Sequence, residues 1–153
     1  MESVFVSSPR RATASPICPH RRTFIIVESL VALSGLAGAV QLMAGVATPA
    51  NSDLPLGLSS WVLPGFWLFG TVALPAAIAG LLAYRRSPYA PLAVVLASVT
   101  MAVEVLVQIP FIGLNPLQAV FGGLAAVLGA LGVHAWRTGW RPARANRRAA
   151  ARS

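Results

Sequence analysis

The sequence predicts an all-α integral membrane protein, a bundle of four transmembrane helices with both termini in the cytoplasm. Three observations predict it. The 153 residues are 56% hydrophobic and only 10% charged, with a mean hydropathy of +0.71. A water-soluble domain carries about 25% charged residues, so this chain has too little polar surface to cover a soluble globule. The apolar residues also fall into four segments, each near the ~20 residues that cross a bilayer. Finally, the formal charge of +8 is carried by arginines that flank those segments and never interrupt them. This composition excludes a disordered chain and argues against a soluble enzyme, and the length allows one domain.

Residues 1–22 mix Ser, Pro and Arg and read as a disordered basic cytoplasmic tail. The first span is 23–48, ended by Pro49. A loop with Asn51, Ser52 and Asp53 but no Arg follows it. The second span is 64–84, with Trp61 and Trp67 at its head and Tyr84 at its foot, where aromatic residues suit the two membrane interfaces. Inside it, Pro75 removes the bond to the carbonyl of Thr71 and predicts a kink. Arg85 and Arg86 open a short connection broken by Pro88 and Pro91, and the third span is 91–110. Asn115 and Pro116 read as helix cap and first helical residue of the fourth span, 116–136. Residues 137–153 form a second basic tail, with Trp140 as a headgroup anchor. The bundle is therefore 23–136, between two tails.

The flanks carry four, none, two, none and six arginines in turn. By the positive-inside rule both termini and the middle connection lie in the cytoplasm, across a cell inner (plasma) membrane. Every basic residue is Arg and none is Lys, which fits a GC-rich, bacterial source. Such charge placement points to anionic lipid headgroups as partners rather than nucleic acid. His20 to Ile25 is similar to a twin-arginine export signal, with Gly45-Val46-Ala47 as a cleavage site. The apolar run exceeds the 7–15 residues of a signal core and Glu28 interrupts it, so the span is expected to be retained. The single Cys18 has no disulfide partner, and Cys18 with His20 lacks the further ligands of a metal shell. No metal or other cofactor is expected.

Lipid supplies no hydrophobic drive for helix association, so small residues must let backbones approach. Ser34, Gly38, Gln41 and Gly45 share one face of the first span. Gln118, Gly122, Ala125, Gly129 and Gly132 share one face of the fourth. Both faces are expected to turn inward.

Only Glu28 and Glu104 are acids inside the spans. An acid at mid-membrane costs about 2.5–3.5 kcal/mol, so each needs a reason. Glu28 lies about 8 Å inside the cytoplasmic boundary and is expected as an edge residue, ion-paired with Arg21, Arg22, Arg85 or Arg86. Glu104 lies deeper, about 20 Å from that boundary. Thr100, Glu104 and Gln108 recur every four residues as one stripe. By the same rise, Gln41, Gln108, Gln118 and Thr71 fall at about 20–27 Å. The candidate ligand-binding set is therefore Glu104, Gln108, Gln41, Gln118 and Thr71, converging on one outer-leaflet layer. No catalytic residue is expected, because the spans hold no Ser–His–Asp set, metal-ligand spacing or phosphate loop. His134, beside Trp136 and Arg137, reads as interfacial.

Leu63-Pro64-Gly65, Gln108 to Gly113 and Leu117-Gln118 resemble short motifs of a broad group of small bacterial four-span membrane proteins. The likeness covers roughly Val27 to Gly132. That group has no established activity, so the resemblance implies the fold and no function. Small multidrug exporters also have four short spans and a glutamate in the first, but this chain departs from them in its one-sided arginines and its second glutamate. The expected function is that of a structural or accessory protein, partnered by its own copies or another membrane protein. The alternative is a transporter or binder of a small molecule, proton or cation, built on the layer around Glu104.

Overall fold

In a computed structural model, which describes residues 19–46, 48 and 58–138, the chain forms four helices. They are α1 (Arg21–Met43), α2 (Val62–Tyr84), α3 (Ala90–Ile112) and α4 (Pro116–Thr138). Each is long and apolar enough to cross a membrane, and the chain is built as a multi-pass membrane protein. Cys18, the loop residues Asn51 to Asp53, Trp140 and most of both expected tails lie outside the described residues.

The helix ends follow local chemistry that apolar length alone does not reveal. α1 stops at Met43 and not at 48, because Gly45 adopts a left-handed φ of 68°. The Gly45 N–H then donates to Leu42 O at 3.1 Å and the Val46 N–H to Gln41 O at 3.0 Å. This pair of reversed bonds satisfies carbonyls that a helix end would otherwise leave open, and glycine takes the conformation at no steric cost. α2 ends the same way with Arg86 at φ 54°, its N–H donating to Ala83 O at 3.2 Å and that of Ser87 to Leu82 O at 2.9 Å. α3 runs two residues past its expected end with Pro110 inside its last turn. α4 begins at Pro116, as expected. Arg21 and Arg22, assigned to the tail from sequence, open α1.

α2 departs from regular α geometry just ahead of Pro75. The turn just before it, Phe69–Ala73, widens to a π-helix, and the Leu74 N–H donates to Phe69 O, five residues back. A wide turn of this kind is a known way for a helix to absorb a missing bond, and such turns cluster at functional sites.

The helices pack in chain order: α1 on α2, α2 on α3, α3 on α4. Among the described residues α1 and α4 share no extended interface. The core is lined by small side chains, chiefly Ala76, Ala79 and Ala83 of α2 with Ala90, Val94 and Ala97 of α3. Gly65 carries the tightest approach: a Cβ there would stand 2.7 Å from Met43 Cγ and 2.9 Å from Ala39 O. The inward face of α4 includes Gln118, Ala125 and Gly132, as the sequence suggested. That of α1 is different. Phe24, Glu28, Val31, Gly35 and Ala39 are buried, while Ser34 and Gln41 are exposed and Gly45 lies beyond the helix. The expected α1 face is therefore corrected by a rotation of about one residue, roughly 100°.

One pole gathers the start of α1, the end of α2, the start of α3 and the end of α4. Arg21 of α1 binds carbonyls at the end of α2: Nε to Ala83 O at 3.0 Å and Nη2 to Tyr84 O at 2.9 Å. The His20 and His134 rings stand 5.9 Å apart and link α1 to α4. This pole carries Arg21, Arg22, Arg85, Arg86 and Arg137.

Candidate functional site

Two i,i+4 pairs meet face to face across the α2–α3 contact. Trp67 and Thr71 lie one turn apart on α2, and Glu104 and Gln108 one turn apart on α3. Trp67 Nε1 donates to Glu104 Oε2 at 2.7 Å. Gln108 Nε2 donates to Glu104 Oε1 at 3.0 Å. Thr71 Oγ1 lies 3.0 Å from Glu104 Oε2 and 2.8 Å from Trp67 O. A hydroxyl has one hydrogen, so Thr71 shares it between these two acceptors. Among the described residues, every hydrogen bond between two side chains ends on Glu104.

The local fold explains the meeting. Thr71 sits inside the π turn that precedes Pro75. Trp67 lies one turn earlier, 56% exposed as a residue and with its N–H turned to the carboxyl. Glu104 itself is only 7% exposed. The cluster thus sits at the flank of the bundle, roofed by an indole whose outer face meets the surroundings.

Of the five residues expected to form one layer, three come together: Glu104, Gln108 and Thr71. Gln41 does not join them. It is exposed, and its carbonyl closes the end of α1. Gln118 is buried but serves its own helix. Its Oε1 accepts from the Asn115 N–H at 3.1 Å, while Asn115 Oδ1 accepts from the Leu117 N–H at 2.9 Å. This pair is a variant of the capping box, with the Asn115 side chain on the second helical N–H instead of the third, and the spacing Asn-x-x-Gln is its sequence signal. Gln118 Nε2 remains buried without a hydrogen-bond partner. Trp67 was read from sequence as an interface aromatic only. Its position four residues before Thr71 was the available signal for its place in the cluster.

Glu28 is not the ion-paired edge residue expected. It is 1% exposed, and its Oε1 is buried with no hydrogen-bond partner. None of Arg21, Arg22, Arg85 or Arg86 bridges to it. Arg21 is engaged by the α2 carbonyls, and Arg22, Arg85 and Arg86 are exposed at the rim. The physical reason is direction. Glu28 lies one turn beyond Phe24 on the inward face of α1, so its side chain enters the bundle rather than reaching back to the headgroups. An unpartnered buried polar group costs about 1–3 kcal/mol, more when charged.

No known family model, curated protein or solved structure matches the chain.

Proposed function

We propose that this chain is a structural or accessory membrane protein that performs no chemistry of its own. The observation that carries the reading is the Glu104 carboxyl, whose oxygens are engaged by Trp67, Gln108 and Thr71 of the same chain. A carboxyl provided with internal donors holds two helices in register, and it has little hydrogen-bonding capacity left for a solute. The absence of Gln41 and Gln118 from the cluster weighs in the same direction, because it reduces a four-helix layer to a two-helix bridge.

The arginine-rich pole supports a plasma-membrane placement with both termini cytoplasmic, since arginines accumulate on that side. The same pole suits anionic lipid headgroups, at about 1 kcal/mol per arginine near the surface. The protein partner we infer is a second copy of the chain or another membrane protein.

A double-mutant cycle tests the bridge. Trp67→Phe, Glu104→Gln and the pair are unfolded reversibly in detergent. A coupling of about 0.6–1.7 kcal/mol is expected, the range measured for hydrogen bonds between membrane helices. Zero coupling, or a stabilisation by an added cation or amphiphile that Glu104→Gln abolishes, would overturn the structural reading in favour of a binding site.

A further inference from the structure

Among the described residues, Glu28 is the one buried acid that the bridge leaves unexplained. Its Oε1 has no partner, and its side chain is 1% exposed. Facing it on α2 is a run of small residues, Ala76, Ala79, Gly80 and Ala83, all buried. The approach is close enough that a Cβ on Gly80 would stand 3.5 Å from Glu28 Cβ. A stripe of alanines and glycine is ordinary helix packing. A buried carboxyl beside that stripe with an oxygen left unbonded is not, because it burdens the fold where a Leu would have packed more cheaply.

The ligand must fit the space. With Gly80 in contact and the side chain almost wholly enclosed, the chemistry that suits this carboxyl is the smallest available, a proton. The two forms of the group make opposite demands. The acid tolerates apolar walls, whereas the carboxylate calls for water or a counter-charge. The surroundings offer both. Apolar walls line the group itself, and a pole rich in positive charge lies about 10 Å away, seven residues down α1. The titratable and charged groups around that pole are His20, Arg21 and Arg22 with α1, Tyr84, Arg85 and Arg86 at the end of α2, Tyr89 before α3, and His134 and Arg137 of α4. None forms an ion pair with Glu28.

Between Glu28 and the pole stands Phe24, beside a pair of tilted imidazole rings. Phe24 is fully buried one turn below, the His20 ring lies 6.4 Å from it, and His134 lies 5.9 Å from His20.

We propose that Glu28 is an exchangeable proton site inside the bundle, loaded and unloaded from the arginine-rich pole past Phe24. This goes beyond the structural reading of Glu104 and uses a different residue, so the two can fail separately.

The full chain in lipid nanodiscs is treated with dicyclohexylcarbodiimide, which attacks protonated carboxyls in apolar surroundings, and the adduct is mapped by mass spectrometry. The wild type alone suffices to assign the site. Labelling is expected at Glu28, falling about tenfold per pH unit above its midpoint, as a single proton site requires. Infrared spectra should show a pH-dependent protonated-carboxyl band that Glu28→Gln removes and Glu104→Gln retains. Phe24→Ala, by opening the route, should raise the labelling rate. Labelling of Glu28 that is independent of pH, or no labelling with no change in the band in Glu28→Gln, would overturn the proposal. So would protection by sodium at constant pH, which would make the site a cation site. An unchanged rate in Phe24→Ala would overturn the route.

Discussion

Arg86 occupies a conformation that suits few side chains, with φ at 54° beyond the end of α2. A left-handed residue other than glycine costs about 1–2 kcal/mol. Arg86→Gly is therefore expected to stabilise the bundle by about 1 kcal/mol, read as a raised midpoint in detergent unfolding; an unchanged or lower midpoint would mean that the arginine contributes more by its charge than it loses by its backbone. Arg21 gives the complementary case. It sets a cation on the carbonyls of Ala83 and Tyr84, at the negative end of the α2 dipole. At this scale the sequence was partly legible. A count of 1.5 Å per residue placed Glu104 further along its helix from the arginine-rich end than Glu28 is along its own. Depth says nothing of direction, however. Glu28, taken for an edge residue, points into the core without a partner, and Glu104, the candidate binder, is engaged by its neighbours.

At the scale of the helix, direction was hard to read for a physical reason. A helix in water betrays its buried face by contrast with a polar one. In lipid the outward side chains are as apolar as the inward ones, and the contrast disappears. Along α1 the exposed residues include Ile26, Leu30 and Leu33, while the buried ones include Val31, Gly35 and Ala39. Small size was the remaining clue. It succeeded on α4, where Ala125 and Gly132 turn inward, and failed for most of the α1 face, where Ser34 and Gln41 are exposed while Gly38 is half-buried near Leu68. Helix ends were legible where a cap residue announced them, as at Asn115, and missed where a glycine followed an apolar run, as at Gly45. Size also carries a prediction. Gly65→Leu forces a side chain into Met43 and the Ala39 carbonyl, and should cost about 1–3 kcal/mol or more through overpacking. Gly70, on the same helix, is exposed and a Cβ added there meets nothing within 4 Å, so Gly70→Leu should not lower the unfolding midpoint as Gly65→Leu does. Equal losses at the two positions would show that the α1–α2 contact does not set the cost, since leucine has a better helix propensity than glycine.

For the molecule as a whole, fold class and helix count were legible, because span length and hydropathy are properties of composition. The spatial order of the helices was not, since short connections permit several arrangements of four spans. The observed order is sequential, with α1 packed chiefly on α2 and α4 chiefly on α3. The chain is in effect two hairpins, and all the side-chain hydrogen bonds described between them run from Trp67 and Thr71 to Glu104. Synthesis delivers the hairpins in that order. The first carries an indole N–H whose acceptor has not yet been made, and the second brings it. Glu104 is then a mark of recognition between separately inserted fragments. Cut between Arg86 and Ser87 and co-expressed, the halves should reassemble and co-purify, and Glu104→Ala in the second half should weaken that reunion while each half still inserts. Reassembly unaffected by Glu104→Ala would mean that the alanine-lined contact alone tells one hairpin where the other belongs.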